Sequence, residues 1–402
     1  VHNNRDMISS HTLRTTNPTS VADSDIYDVA IVGLGPAGSM CARMLDSKRL
    51  RTIAFDKKPA EASTEGFHKP CGGLLAPDAQ KALAGLNLNL PKDVLVDPQI
   101  FSVKTLDCAT GVEQSYQRMY INVDRQKFDC WLKNEVPSRV EVCHETAVVS
   151  IERVEGGYAL TYRSLIRDEE RTIVTRKVVG ADGAYSRVRS FLYPQAKIRT
   201  YVALQQWFKE EHPLPFYSCV FDPCITDCYS WGISKDGYFI FGGAYPVKKG
   251  RAFFEQQKEI LAAQGYQFGP VVKTESCQVL RPQKMRDFYC GRDNMFLVGE
   301  AAGFISASSL EGISSALASG RICARVINES VAKNSPAKSD NKSSESSQHF
   351  SEINDATRAY KRATFKLRLK LLFKVYKCPF MYWPPLRAII MKSGLQRLSE
   401  DS

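Results

Sequence analysis

Six consecutive residues, Gly33-Leu34-Gly35-Pro36-Ala37-Gly38, carry three glycines at the spacing Gly-x-Gly-x-x-Gly. Glycine at the first position permits a tight turn, at the second it lets backbone approach a pyrophosphate, and at the third it lets a helix pack closely on a strand. An anion bound there gains from the free N–H groups and the dipole of the following helix. Asp56, 18 residues beyond Gly38, is spaced to accept hydrogen bonds from ribose hydroxyls, and Lys57 follows it. The set points to a dinucleotide without separating FAD from NAD.

The flanking elements must present these residues. Tyr27 to Val32 is a short apolar run of the kind a buried parallel strand shows, Ser39 to Lys48 reads as a helix packing through Met40, Met44 and Leu45, and Arg51 to Asp56 reads as a second strand. This is a βαβ start. Asp124 to Glu135 reads as a helix capped by Asp124, with Phe128, Trp131 and Leu132 on one face. Its first turn carries Arg125, a planar guanidinium suited to a pyrophosphate. Short alternating segments at 140–143, 147–151, 158–162 and 172–179 suggest an antiparallel meander leading into Gly180-Ala181-Asp182-Gly183. Twelve aromatic residues between Tyr201 and Tyr245 fit a sheet core and the wall of an apolar ligand cavity equally well. A strand at 296–299 precedes a helix from about Leu310 to Asn328.

With 402 residues, 44% hydrophobic and 24% charged, the chain is too long for a stapled mini-scaffold and too apolar for global disorder. Val1 to Ser24 is polar and reads as a disordered lead without a signal-peptide core, and no run approaches the roughly 20 apolar residues of a spanning helix. A cytoplasmic protein is expected, or one peripheral on the cytoplasmic face of a membrane. The twelve scattered cysteines then read as reduced thiols. Cys219, Cys224 and Cys228 have no nearby His, and strand alternation would turn Cys219 away from the other two, so no metal site is expected. Only one Gly-x-Gly-x-x-Gly occurs, so an electron donor such as NADPH would bind transiently, without a domain of its own.

Of the net charge of +11, +9 falls between Thr357 and Ser402, beyond a Ser-rich linker at 329–354. The body is almost neutral, which argues against nucleic acid. Phe365, Leu369, Leu372, Phe373 and Tyr376 recur at helical spacing, and Met381, Tyr382, Trp383, Leu386 and Ile389 continue the apolar set. A basic amphipathic region over 355–398 suits an anionic membrane surface, and equally a helix packed on the body.

Four ordered stretches resemble the signatures of group A flavoproteins. They are Gly33 to Gly38 with Asp56, Arg125 ahead of Phe128-Asp129, Gly180 to Gly183 followed by Ser186, Val188 and Arg189, and Val298-Gly299-Glu300-Ala301-Ala302-Gly303. Within that superfamily the chain is similar to the geranylgeranyl reductase family, and to its CbrA-like branch, through Lys69-Pro70-Cys71-Gly72-Gly73-Leu74-Leu75-Ala76-Pro77-Asp78 and Ser306-Ala307-Ser308-Ser309-Leu310-Glu311-Gly312-Ile313. The resemblance spans about 26–328 and 357–394.

It implies an α/β fold in which a Rossmann-type FAD-binding domain of the GR2 kind (25–92, 120–198 and 281–328) is interleaved with an antiparallel-sheet substrate domain (93–119 and 199–280), followed by a C-terminal helical segment. FAD would be held by the Gly33 to Gly38 turn, Pro36 and Ala37 included, with Asp56 and Lys57 at the ribose and Arg125 at the pyrophosphate. Asp182, Gly183, Gly299, Glu300 and Gly303 would follow the cofactor, and Gly312-Ile313 would direct a helix N-terminus at the flavin. Cys71, Gly72 and Gly73 match the family's active-site element near the isoalloxazine, and Tyr229 and Trp231 its substrate element. The implied activity is hydride transfer from reduced FAD to a carbon-carbon double bond of a polyprenyl or isoprenoid lipid, with Cys71 a candidate proton donor. The chain departs from the family in having Glu300 for Asp, Leu74 for Gly, and Ile233-Ser234 for Phe-Pro. Alternatives are an FAD-dependent monooxygenase hydroxylating an aromatic substrate, a halogenase, whose Trp-x-Trp-x-Ile-Pro is partly echoed by Tyr229 to Ser234, and a non-catalytic flavin-bearing lipid-binding protein.

Overall fold

A computed structural model of the chain describes residues 26–62, 69–333 and 356–393. The polar lead at 1–24, most of the Ser-rich linker and the last basic residue, Arg397, lie outside the described residues.

The first sheet grows from the βαβ start. Strand β1 (Ile26–Val32) pairs in parallel with β2 (Thr52–Phe55) on one side and with the long β9 (Glu170–Gly180) on the other. β6 (Glu141–Cys143) extends the parallel set beyond β2, and β16 (Met295–Leu297) extends it beyond β9, with the two-residue β15 (Gly291–Arg292) antiparallel at that edge. β7 (Thr146–Val154) and β8 (Gly157–Ser164) form an antiparallel hairpin that joins the N-terminal half of β9. The expected four-segment meander is therefore three strands. The segment at 141–143 instead adds to the parallel sheet, beside the buried Ile53, Ala54 and Phe55.

The second sheet has the order β14 (Val271–Leu280), β10 (Thr200–Lys209), β13 (Tyr238–Pro246), β12 (Ser230–Lys235), β11 (Phe216–Phe221), β4 (Ile100–Asp107), β5 (Val112–Asn122) and β3 (Leu74–Leu75). All its pairs are antiparallel except β11 with β4. β3 belongs to this sheet by pairing with Ile121 and Asn122, so the segment at 25–92 contributes to both sheets.

Helix α1 (Pro36–Met44) begins earlier than the predicted Ser39, because Pro36 at its first position already has the helical φ and needs no N–H partner there. It ends before Lys48, leaving Met44 exposed while Met40 and Leu45 are buried. The shift fits the three-residue step from Gly35 to Gly38, which keeps the third glycine on the buried side. Helices α2 (Pro77–Ala84) and α3 (Arg125–Asn134) follow, the latter capped as expected by Asp124, which accepts from the Gln126 and Lys127 N–H groups. α4 (Arg187–Leu192) follows β9, and α5 (Gly250–Ala263) covers the second sheet through Phe254 and Leu261.

α6 (Ile313–Lys333) starts three residues later than predicted, since Leu310 sits in the left-handed region (φ +51°) and cannot continue a right-handed helix. It crosses α1 at Gly320, where a Cβ would fall 2.2 Å from the Ala37 carbonyl oxygen. Beyond the linker a helical turn at 356–363 leads to helices Phe365–Tyr376, Cys378–Tyr382 and Pro384–Lys392. Tyr360 is buried and donates to the Leu297 carbonyl (2.9 Å) of the first sheet. Arg387 donates to the fully buried Asp107 (2.6 Å) of the second. Among the described residues no helix is long and apolar enough to cross a membrane.

Candidate functional site

The carboxyl ends of β1, β2 and β9 open on a cavity of about 690 Å³, closed from the other side by β10, β11, β12 and β14. Ligands of open parallel sheets bind at this end. At Gly33 (φ +96°) a Cβ would lie 2.6 Å from the Ala181 carbonyl oxygen, and at Gly38 a Cβ would lie 1.9 Å from the Gly33 carbonyl oxygen. Glycine is thus enforced at both. At Gly35 a side chain would meet nothing within 4 Å, so this is the open face of the turn. Gly33, Gly35, Pro36 and Ala37 line the cavity, whereas Gly38 serves the packing of α1 on β1. No side chain caps α1, which leaves its first N–H groups to an anion.

Asp56 and Lys57 line the same end. Asp56 is buried, its Oδ2 lies 3.4 Å from Lys133 Nζ, and that oxygen has no hydrogen-bond donor. Burial pushes its carboxyl up against the pull of Lys133 and Lys58. Arg125 is not a solvated surface arginine. Its Nε donates to Asp129 Oδ1 (2.9 Å), and Lys58 Nζ donates to Asp129 Oδ2 (2.9 Å). Burial opposes charge on Asp129, yet Arg125 and Lys58 outweigh it and hold the carboxyl well below the usual range. Arg125 keeps its place on the cavity wall.

Cys71, Gly72 and Gly73 line the middle of the cavity. Gly73 (φ +65°) donates its N–H to Cys71 Sγ at 3.4 Å, and its carbonyl accepts from Val123 at 2.8 Å. Burial raises the Cys71 thiol, but the Arg125 guanidinium, the Gly73 N–H and Lys69 together bring it below its ordinary value. Beneath this loop lies Lys235, buried, donating to the Val123 carbonyl (2.6 Å). Burial brings its amine down to about 8.

Asp182 and Gly183 line the cavity, but the Asp182 carboxylate is occupied by α4. Ser186 Oγ donates to it at 2.5 Å and the Arg187 N–H at 2.7 Å. Gly299 (φ +57°) and Glu300 form the first turn after β16 and reach the cavity. Gly303 does not: it ends that turn in the left-handed region, with a Cβ position 2.5 Å from the Asp287 carbonyl oxygen. Gly312 and Ile313 line the cavity at the start of α6.

Of the twelve aromatics between Tyr201 and Tyr245, Tyr217, Tyr229 and Trp231 face the cavity. Phe208, Phe239, Phe241 and Tyr245 pack instead under α5, so the stretch is mostly core. Tyr229 Oη donates to the Ser309 carbonyl (2.6 Å), and its ring meets Trp231 edge-on at 6.0 Å. Cys219 is buried on β11, while Cys224 and Cys228 fall beyond that strand, where alternation no longer governs them. All twelve cysteines are free.

The orphaned Asp56 oxygen, the uncapped α1 and the enforced glycines fit the ribose and pyrophosphate of a dinucleotide, and Cys71 to Gly73 with Gly312-Ile313 leave the middle of the cavity to its ring.

The chain is 52% identical over 374 residues to Protein CbrA of Shigella flexneri and, to the same extent, to Protein CbrA of Escherichia coli, covering 93% of this chain and 95% of each relative. The chain belongs to the CbrA family. No family model matches the CbrA-type sequence. Its fold is shared with a geranylgeranyl bacteriochlorophyll reductase-like protein from Thermoplasma acidophilum (TM-score 0.72, 17% identity, 94% of both chains). It is shared also with PqsL, a probable FAD-dependent monooxygenase from Pseudomonas aeruginosa (TM-score 0.64, 15% identity, 90% of this chain and 99% of that one). A third neighbour is CmlS, a flavin-dependent halogenase (TM-score 0.60, 18% identity, 84% and 62%).

Five charged residues that line this CbrA-family cavity are not among the site residues expected from the sequence: Lys58, Lys69, Asp129, Arg187 and Glu311. Lys69, Asp129 and Glu311 fall inside the stretches that carry the family resemblance, and Lys58 and Arg187 stand beside Lys57 and Ser186. Lys235 is marked by nothing local; β12 carries it beneath the Gly73 loop, against the Val123 carbonyl rather than on the cavity wall.

Proposed function

We propose that the chain is an FAD-dependent oxidoreductase that reduces carbon-carbon double bonds of a polyprenyl or isoprenoid lipid. The observation that carries this reading is the continuity of one cavity from the Gly33 to Ala37 turn, past Cys71, to the aromatic wall of Tyr217, Tyr229 and Trp231. FAD would be held by that turn, by Asp56 and by Gly312-Ile313, and when bound and reduced it supplies a hydride. The chain's own residues do the rest. Ala203, Val279, Ile305 and Trp231 offer an apolar wall that excludes water from an isolated alkene, which reacts only where a proton is supplied as the hydride arrives. An electron donor such as NADPH would visit the cavity transiently.

The C-terminal helices support a place at an anionic membrane surface. They leave Phe373, Tyr376 and Trp383 more than half exposed, among Lys366, Lys370, Lys374 and Lys377. The same helices also pack on the body, through Tyr360, Tyr382 and Arg387, so both expectations for the tail have support on different faces.

The test begins with the visible spectrum of protein reconstituted with FAD. Anaerobic reoxidation of the reduced protein by polyprenyl phosphate, with product gaining one pair of hydrogens per double bond, is the expected result. If reoxidation needs oxygen and an aromatic or halide acceptor, the monooxygenase or halogenase reading replaces it. That second reading draws on Tyr229 and Trp231, which echo the halogenase motif and line the cavity. If nothing reoxidises the flavin, a lipid-binding protein is the better description.

A further inference from the structure

We infer that Glu311, not Cys71, is the general acid of this cavity, giving its proton to the alkene carbon that does not receive the hydride. The inference rests on the reductase reading above and assigns the proton that reading requires.

Position comes first. Glu311 lines the cavity at the aromatic end, in the loop between the turn after β16 and the start of α6. The loop is fixed. The Ser306 N–H donates to the Glu311 carbonyl at 3.0 Å, the Leu310 N–H to the Ser306 carbonyl at 2.9 Å, and Tyr229 Oη grips Ser309 one turn away. Tyr120 Oη lies 3.5 Å from Glu311 Oε1, and the Tyr120 ring meets Tyr217 at 5.8 Å. The carboxyl thus stands beside the rings that would hold an isoprenoid chain, one residue ahead of Gly312-Ile313, where the flavin would end.

Chemistry comes second. Two groups in one cavity whose proton affinities are driven apart mark an acid and a base. Burial pushes the Glu311 carboxyl up, and the nearby Asp78 carboxylate of α2 adds to this. Arg118 of β5, with Nη2 4.0 Å from Oε1, and Lys374 and Lys377 of the C-terminal helix pull the other way without reversing it. The Tyr120 phenol on β5 stays neutral, so it leaves the charge balance unchanged. Cys71 is driven in the opposite sense by Arg125 and Lys69, so it is held towards thiolate and is a poor donor. The side chain of Glu311 is 32% exposed, and an apolar substrate covering it would strengthen the neutral form.

The step balances. One π bond of the alkene breaks and two C–H bonds form, one from the hydride of the reduced flavin and one from the Glu311 proton. The alkene is reduced by two electrons, the flavin is left oxidised, and the Glu311 carboxylate recovers a proton from solvent.

The experiment compares wild type, Glu311→Gln and Cys71→Ser, each reconstituted with FAD. Glu311→Gln is expected to bind FAD and accept electrons from dithionite as wild type does, while its anaerobic reoxidation by polyprenyl phosphate falls about 100-fold or more. The wild-type rate should fall as pH rises through the Glu311 value, a limb that Cys71→Ser keeps and Glu311→Gln loses. Wild-type reoxidation by Glu311→Gln, or an unchanged pH limb, would overturn the inference. The protonation state is read independently by infrared spectroscopy of the same proteins across a pH titration. A protonated-carboxyl stretch that persists in wild type above the ordinary glutamate range and is missing in Glu311→Gln is expected, and a Glu311 carboxyl that ionises at or below that range overturns the inference whether or not any alkene reacts. A wild type that leaves every prenyl alkene untouched defeats the reductase reading instead, and the infrared result then decides Glu311 alone.

Discussion

Lys69 Nζ lies 2.5 Å from Glu300 Oε2, and the other oxygen of the same carboxylate accepts the Leu280 N–H at 3.0 Å. One side chain therefore joins the turn after β16, the end of β14 and the residue that leads into Cys71. Each oxygen of the Glu300 carboxylate thus has its own partner.

Removing that carboxylate leaves Lys69 without its counter-charge and the Leu280 N–H without an acceptor. Glu300→Ala is expected to lower stability by about 2 kcal/mol, and Glu300→Gln by less, since the amide can still accept from Leu280. Urea unfolding of the FAD-free protein measures both. Equal midpoints for wild type and Glu300→Ala would contradict the pairing.

The Arg387–Asp107 pair is buried on both sides, at 5% and 0% exposure. Breaking such a pair from one side strands the other charge, so Arg387→Met should cost about 3 kcal/mol. The same change should free the last helices. Limited proteolysis is expected to cut the variant between 377 and 393 under conditions that leave wild type intact.

Two cavity thiols give an internal comparison. Cys277 also lines the cavity, and burial pushes its thiol up to about 11, whereas Cys71 is brought below its ordinary value despite burial. In FAD-free protein at pH 7, iodoacetamide should modify Cys71 about tenfold or more faster than Cys277, because the thiolate is the nucleophile. Cys71 reactivity should persist to lower pH and fade as pH drops through its depressed value. Arg125→Leu should narrow the difference, since only the Gly73 N–H and Lys69 then remain to lower Cys71, as peptide mapping by mass spectrometry would reveal.

Lys235 carries a stability signature with a definite sign. Its amine titrates at about 8 in the folded chain and near 10.5 when unfolded. Between those values the unfolded state binds the extra proton, so this residue makes stability rise with pH across that window and reduces it below. Lys235→Met, which has no proton to take up, should gain on wild type below pH 8 and lose that advantage by about pH 10.5. A stability difference that does not change with pH would refute the assignment.

Membrane contact is tested on the exposed face alone. Lys366→Glu and Lys374→Glu are expected to weaken co-sedimentation with vesicles containing anionic lipid by about fivefold or more each. Trp383→Ala should weaken it further, and neutral vesicles should bind little of any protein. Undiminished binding by the triple variant would exclude this face.

The first third of the fold was legible because its signals are local. The apolar run before Gly33, the glycine turn from Gly33 to Gly38 and the Asp124 cap each act within a turn or two of themselves, whereas Pro36, which starts α1 ahead of the expected Ser39, was passed over. β6 was misread because three residues carry no periodicity. Only its neighbours, Ile53 to Phe55, decide that it runs parallel. The parallel pairing of β11 with β4 joins Phe216 to Ser102 across a long stretch of chain, which no local pattern reports. Most predicted cofactor residues do reach the cavity, since the motifs encode backbone shape. Lys235 did not announce itself, because its burial beneath the Gly73 loop arises only when β12 of the second sheet closes against it.

The C-terminal segment is fastened to the first sheet by Tyr360, to the loop at Ser308 by Tyr382, and to the second sheet by Arg387. A belt riveted to both halves opposes any clamshell motion between them. Ligands must then come and go while the two halves stay at a constant separation.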